Sequence, residues 1–212
     1  MTVRIVTDSA CDLTEEEASA LDIDVVPLFI RFGEVEYIDR KELSVPDFYK
    51  EMSTNEHLPQ TAAPAPGAFG EIFTKRLNAG AESIVCINLS SELSATMESA
   101  QAGAQESGGD VRIVDSRSVS AGQGTIVLAA AHAAKNGASV DEIVSLVSDL
   151  SLRTRVYGAL DTLENLKKGG RVGNAAALFG SVLSIKPLID ISSGVVEEAG
   201  KQRTMKKALA WL

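Results

Sequence analysis

Short apolar runs alternate with longer amphipathic segments over the first three quarters of the chain. One of these runs, at residues 84–87, is apolar without a break, which is typical of a strand buried on both faces of a sheet, and the sequence V-R-I-V at 3–6 and again at 111–114 predicts two further strands. The segments between them carry apolar residues at helical spacing. This alternation predicts a parallel α/β layer over residues 1–155.

The same pattern sets the limits of the other elements in this region. Apolar positions three or four residues apart predict helices, at 13–21, 45–52, 68–77, 122–135, 140–152 and from about Ser94. Pro27 interrupts the apolar stretch 23–32 and predicts two short strands or a strand at a sheet edge. Residues 35–39 are expected to return as a hairpin arm after Gly33. The proline-rich segment 59–67 is expected to be a loop.

Hydroxyl and acidic residues follow each of the three predicted strands. They lie at 7–12, at 90–96, where four hydroxyl groups cluster, and at 115–118. Because the carboxyl ends of parallel strands share one sheet edge, these residues should meet where open α/β sheets bind ligands. The N–H groups at the start of a helix also attract anions there. A plainer interpretation is that Ser91 or Ser94 only caps the next helix, although one cap needs one hydroxyl.

The pattern changes after residue 155. The predicted elements are a strand, a short helix, two antiparallel strands and a final helix, at 155–160, 162–168, 185–191, 194–199 and 204–212. We therefore expect residues 156–212 to begin a second α/β domain with mostly antiparallel strands. A sheet that starts here has few strands and no closing element. We expect the chain to be truncated, with the C-terminal part of this domain missing, or to be completed by a partner.

Charge and composition narrow the classes of function. The formal net charge of −9 argues against a nucleic-acid partner. No apolar run is long enough to span a bilayer, and the N-terminus lacks the apolar region of a signal peptide. Cys11 and Cys86 have no metal or redox spacing and are typical of reduced thiols in a cytosolic protein. His57 and His132 have no metal-ligand neighbour at helical spacing, so no metal site is predicted.

Several short motifs lie in a fixed order along the chain. They are T-D-S-x-x-D at 7–12, T-x-x-P at 61–64, L-S-S-x-L-S-x-T at 89–96, V-D-S at 114–116, L-K-K-G-G-R-V-G at 166–173, K-P-L-I at 186–189 and R-T-x-x-K-A at 203–208. Together they resemble the DegV family of bacterial fatty-acid-binding proteins. Each motif alone is weak, but their common order over nearly the whole chain argues against chance.

The resemblance implies two α/β domains with a long acyl chain, such as that of palmitate, buried between them. It implies that hydroxyls of Thr61 and Ser94, with Ser91 nearby, hold the carboxylate, and that Arg171 lies near the headgroup and the surface used by a partner. Better understood members present the fatty acid to a separate fatty acid kinase, which makes an acyl phosphate for phospholipid synthesis. The resemblance thus implies a cytoplasmic lipid-binding protein that does not itself turn over substrate and needs no cofactor. It leaves peripheral contact with a membrane open.

Two departures from the family pattern affect this expected site. The loop that usually reads T-S-Q-P-S is T-A-A-P-A at 61–65, which removes two polar contacts. The family also continues into a C-terminal segment with a histidine close to the carboxylate, and neither His57 nor His132 matches it. A partly open pocket is expected as a result. Candidate wall residues for the acyl tail, each also suited to an ordinary core, are Phe29, Ile30, Phe179, Leu183 and Ile185.

Two other classes of function remain open from the residues alone. A serine hydrolase would use Ser91 or Ser94, but two histidines without a G-x-S-x-G elbow argue against a triad. A binder of small phosphorylated ligands would use the basic, glycine-rich segment 169–173 with Asp8, Asp115 and magnesium. That segment lacks both GxxxxGK[ST] and GxGxxG, so a solvated turn explains it equally well.

Overall fold

The computed structural model describes residues 2–178 and 185–212, with side chains described outside 176–184. The strands are β1 Val3–Asp8, β2 Asp24–Val26, β3 Phe29–Phe32, β4 Val35–Ile38, β5 Gln60–Ala62, β6 Ser83–Asn88, β7 Val111–Asp115, β8 Tyr157–Ala159, β9 Lys186–Asp190 and β10 Glu197–Gln202. The helices are α1 Glu15–Ala20, α2 Val45–Thr54, α3 Pro66–Asn78, α4 Thr96–Ser107, α5 Ala121–Lys135, α6 Val140–Arg153, α7 Glu164–Lys168 and α8 Met205–Trp211. Short 3₁₀ turns occupy Ser9–Cys11 and Gly173–Leu178.

The main sheet is parallel and has the strand order β2-β1-β6-β7. Every residue of β6 is buried, because helices cover both faces of the sheet. Val85 and Ile87 pack against α5 and α6, whereas Ile84 and Cys86 pack against Phe69 and its neighbours on α3 and α4. The parallel layer predicted from the buried strands is thereby confirmed.

A second, smaller sheet lies within the region predicted as one parallel layer. Its strand order is β4-β3-β5 and all of its pairs are antiparallel. The hairpin of β3 and β4 after Pro27 was predictable, but the assignment of 59–67 as a plain loop was wrong, because β5 pairs with β3. Its inner face, with Ile30 and Phe32, packs on Leu43 and α2.

The C-terminal part forms a third sheet with the order β10-β9-β8, and both pairs are antiparallel. This agrees with the predicted α/β class and its mostly antiparallel second part. Leu163, Ile189 and Val196 form the centre of its apolar cluster, and Leu93 and Val119 from the N-terminal part pack against it. The domain division at residue 155 stays a prediction. Among the helices of the described residues, none is long and apolar enough to cross a membrane.

Candidate functional site

A buried carboxylate organises the carboxyl edge of the parallel sheet. Asp8, at the end of β1, accepts hydrogen bonds from the backbone N–H groups of Ala10 and Leu89 at 3.1 and 2.9 Å. It also accepts from the side-chain amides of Asn88 and Gln123 at 3.0 and 3.1 Å. Burial raises the pKa of the Asp8 carboxyl, and these four donors oppose that rise. The network fixes the loops after β1 and β6 at the same edge, as the positions of these residues predicted.

The loop after β6 also connects this edge to the C-terminal sheet. The Ser90 hydroxyl, fully buried, donates to the carbonyl oxygen of Gly194 at 2.6 Å. The Arg117 guanidinium donates to the carbonyl oxygen of Ser193 at the same distance. Both acceptors lie in the turn between β9 and β10. The two parts of the chain therefore meet through direct hydrogen bonds beside the hydroxyl cluster.

A half-enclosed cavity of about 1020 Å³ lies where the three sheets approach one another. Its volume is at the upper end of the range for small-molecule sites, about 300–1,000 Å³. Much of its apolar wall comes from the loops after β6 and β7, from α7 and from the C-terminal sheet: Leu89, Leu93, Val119, Leu166, Ile189, Ile191 and Val196. On the side of the small sheet the lining combines the apolar Leu28, Leu58 and Pro59 with polar and charged residues, and the α7 region adds further charged residues.

Three of the four predicted site residues line this cavity. They are Thr61 on β5, Ser94 in the loop before α4, and Arg171 after α7. Ser91 is not part of the lining, because its hydroxyl donates to the Asp115 carboxylate at 2.6 Å. The structure therefore brings together Thr61, Ser94 and Arg171 from three separate regions of the chain. Ser91 instead forms its hydrogen bond at the end of β7.

Ser94 has a local partner that is well suited to a hydrogen-bond relay. Its hydroxyl oxygen lies 2.9 Å from Thr96 Oγ1 and accepts from the Thr96 backbone N–H at 3.3 Å. Thr96 is fully buried, whereas Ser94 is partly exposed and faces the cavity. Ala95 occupies the N-cap position of α4, so neither Ser91 nor Ser94 is its N-cap.

Arg171 crosses from the α7 region to the loop before α4. Its guanidinium donates to the carbonyl oxygen of Leu93 at 3.2 Å and to that of Gly169 at 2.6 Å. Leu93 and Gly169 both line the cavity. Arg171 thus joins two of the cavity walls while its side chain stays exposed to solvent.

The described lining does not include Phe29, Ile30 or Ile185, three of the residues considered for the wall of an acyl tail. Ile30 packs under α2 as an ordinary core residue. Phe179 and Leu183 lie outside the described residues. Leu89 and Leu93 were missed, although two leucines inside a hydroxyl-rich segment just beyond a buried strand could have indicated them.

The chain matches the model of the DegV family, described as uncharacterised proteins, over residues 2–212. A DegV domain-containing protein from Deinococcus radiodurans is 37% identical over 210 residues, which covers 99% of this chain and 74% of that relative. One from Streptomyces coelicolor is 36% identical with the same coverage. This chain belongs to the DegV family.

Several solved structures share this fold. A fatty-acid-binding member from Thermus thermophilus is similar with a TM-score of 0.90 and 34% identity, over 98% of this chain and 74% of its own. DegV from Bacillus subtilis, a fatty-acid-binding protein, has a TM-score of 0.89 and 32% identity, over 100% and 75%. A stearic-acid-binding protein from Eubacterium ventriosum has a TM-score of 0.91 and 25% identity, over 97% and 72%.

The geometry of this DegV chain does not favour the two rival functions. Asp8 has no free lone pair directed at solvent, since four donors occupy its buried carboxylate, so it is unsuited to hold magnesium for a phosphorylated ligand. Ser91 and Ser94 bond to Asp115 and Thr96, and in the described part of the chain neither hydrogen-bonds to a histidine. A serine nucleophile needs such a base.

Proposed function

We propose that this protein binds one long-chain fatty acid in the cavity, with its carboxylate held by the hydroxyls of Thr61 and Ser94. The observation that carries the proposal is that these two hydroxyl residues, from β5 and from the loop before α4, line one cavity whose other wall is apolar. The similarity to fatty-acid-binding DegV proteins supports the same ligand class.

The physical chemistry of a fatty acid matches this division of the cavity. Each buried methylene contributes about 0.8 kcal/mol, so the apolar wall supplies most of the affinity. A carboxylate is costly to bury unless its oxygens accept hydrogen bonds. Hydroxyl groups donate such bonds without a fixed charge. Because the cavity is half-enclosed, a carboxylate at its polar side stays close to solvent.

Mass spectrometry of the purified protein, native and then after organic extraction, tests this proposal. We expect one fatty acid per chain in the native spectrum and a free acid of defined length in the extract. Saturated acids of increasing length should then bind more tightly by about fourfold per methylene until the cavity is full. An empty protein that also fails to bind added palmitate would overturn the proposal.

The family resemblance extends the proposal to the step that follows binding. In this view the protein does not turn over the fatty acid but presents its carboxylate to a separate fatty acid kinase, and Arg171 lies beside the surface that this partner uses. Exposure of Arg171 at the polar side of the cavity supports that position. The test is acyl-phosphate formation from palmitate and ATP by a purified kinase, with and without this protein. Equal rates in both reactions would refute the presenting role.

A further inference from the structure

A buried carboxylate that makes no part of the proposed ligand contacts holds two residues of the cavity wall. Asp8 is fully buried at the end of β1, and its Oδ1 accepts from the backbone N–H of Ala10 at 3.1 Å. Its Oδ2 accepts from the backbone N–H of Leu89 at 2.9 Å. Ala10 and Leu89 both line the cavity, in the loops after β1 and β6. Asp8 therefore joins two parts of the wall, although it is not itself in the described lining.

The bond to Leu89 leads directly to the proposed carboxylate site. The next residue is Ser90, and its carbonyl oxygen accepts from the backbone N–H groups of Leu93 and Ser94 at 3.0 and 3.2 Å. These two bonds form a tight turn, so the position of Ser94 follows from the position of the backbone where the turn begins. Asp8 is thus one of the anchors of the segment that presents the Ser94 hydroxyl to the cavity.

All four hydrogen-bond partners of Asp8 are donors, a set that suits an ionised carboxylate. The side-chain amides of Gln123 and Asn88 complete it, one on each oxygen, at 3.1 and 3.0 Å. A proton on either oxygen weakens the bonds which that oxygen accepts, and the NH₂ group of an asparagine would face both donors of one oxygen. Gln123 and Asn88 can turn their amides to present an oxygen instead, but a backbone N–H cannot. Loss of the negative charge therefore weakens or breaks the bond to the N–H of Ala10 or of Leu89.

We propose that Asp8 is a positioning residue whose negative charge holds Ala10 and Leu89 where a bound fatty acid requires them, so that the affinity of the cavity depends on the charge state of Asp8. The inference rests on the proposed function, because it concerns how that binding site is held in shape. Asp8 itself makes no contact with the ligand in this proposal. Burial raises the pKa of the Asp8 carboxyl above its ordinary value, so the charge is lost at a less acidic pH than in an exposed aspartate.

Other ionisable groups lie near Asp8 and have to be separated from it. Beside Asp8 and the turn that follows it, the structure places Cys11, Asp12, Asp39, Arg40 and Cys86. Burial raises the pKa of both thiols, and the charge of Asp8 adds to the rise, so the thiols stay neutral. Arg40 pairs with both of the other carboxylates. A comparison between two proteins that differ only at Asp8 cancels the contribution of these groups.

The experiment measures palmitate affinity in the wild type and in Asp8→Asn from about pH 8 down to about pH 4.5, by competition with a bound fluorescent fatty acid. The titration of palmitate itself is common to both proteins, so the ratio of the two affinities isolates Asp8. Asp115→Asn is the matched control. Asp115 ends β7 as Asp8 ends β1, and its side chain accepts from Ser91 and Arg117, neither of which is in the described lining.

At the alkaline end, Asp8→Asn should bind palmitate about tenfold more weakly than the wild type, the effect of about one unmatched buried donor. The ratio of affinities should shrink as the pH falls, because the wild type then loses the same charge. Asp115→Asn should match the wild type at every pH. An unchanged affinity in Asp8→Asn, a ratio that stays constant with pH, or an equal loss in Asp115→Asn would each overturn the role of Asp8 alone.

A second measurement uses only the wild type and therefore stands even if Asp8→Asn does not fold. In the ligand-free protein, the backbone amide NMR signals of Ala10 and Leu89 should move with pH and share one midpoint. Palmitate should lower that midpoint by up to about one pH unit, because a ligand that prefers the ionised form stabilises it by the same factor. Amide signals that do not titrate, or a midpoint that palmitate leaves in place, would overturn the role of Asp8. A wild type that binds no palmitate at any pH would overturn the proposed function and this inference with it.

Discussion

Two serines three positions apart provide the sharpest test of the carboxylate site. Ser94 lines the cavity and Ser91 does not, although both belong to the same hydroxyl-rich segment. Ser94→Ala should therefore weaken fatty-acid binding, whereas Ser91→Ala should leave it unchanged. The pair controls for general effects of removing a hydroxyl from this loop.

The size of the effect follows from the hydrogen bonds around Ser94. When the Ser94 hydroxyl donates to a carboxylate, the Thr96 hydroxyl can donate to Ser94 in turn, so no internal bond is lost on binding. Ser94→Ala then costs the one bond to the charged ligand, about 1–3 kcal/mol or about 5- to 150-fold in affinity. It also leaves the Thr96 N–H without its acceptor in the free and bound forms alike, which should lower stability by about 1 kcal/mol.

The assay is a fluorescence or calorimetric titration with palmitate, with the free energy of unfolding measured by urea for each variant. Thr96→Val tests the relay separately, because it removes only the hydroxyl behind Ser94 and should weaken binding less than Ser94→Ala does. Unchanged affinity in Ser94→Ala, or an equal loss in Ser91→Ala, would refute the assignment of the carboxylate to Ser94.

Two further predictions concern packing and thiol chemistry. Gly103→Ala places a methyl group 2.5 Å from the carbonyl oxygen of Pro66, where α3 and α4 touch, and should lower the urea-derived stability by about 1–3 kcal/mol. Gly67→Ala meets no atom within 4 Å and should be neutral or slightly stabilising; an equal loss in both variants would contradict this account. Burial raises the pKa of the Cys11 thiol to about 11, so about one molecule in a thousand carries the thiolate at pH 8. Burial also raises the pKa of the Cys86 thiol. Neither cysteine should therefore react quickly with a thiol reagent in the native protein, and both should react after unfolding. A fast phase of thiol labelling in the native protein would contradict the burial of these side chains.

The parallel sheet could be predicted from the sequence because its strands alternate with amphipathic helices. β6 shows an unbroken apolar run at 84–87, β1 and β7 each contain the sequence V-R-I-V, and the helices that cover them show helical spacing. The convergence of Asp8 and Ser90 at one edge follows from that topology alone. These features depend on local sequence and on one general rule about parallel strands.

The small sheet could not be predicted in the same way. β5 has three residues, all exposed, and it follows β3 by almost thirty positions. A strand of three residues is too short to show an alternation of polar and apolar residues. It forms only because β3, which is distant in the sequence, lies beside it and supplies its hydrogen-bond partners. Thr61 could be proposed as a ligand residue only from the family motif.

The parallel sheet and the small sheet position their residues of the candidate site in different ways. This difference decides which of those residues can be predicted from the sequence. The hydroxyl at Ser94 is placed by the end of a buried strand, and its neighbour Thr96 is locked into the start of α4. Thr61 is placed by cross-strand register in an exposed sheet, where a shift of one residue would turn its side chain to the other face. Register of this kind is set by turns and by the packing of β3 under α2, not by the identity of Thr61. The position of the Thr61 hydroxyl therefore depends on contacts with distant parts of the chain, whereas that of Ser94 depends on the strand and helix on either side of it.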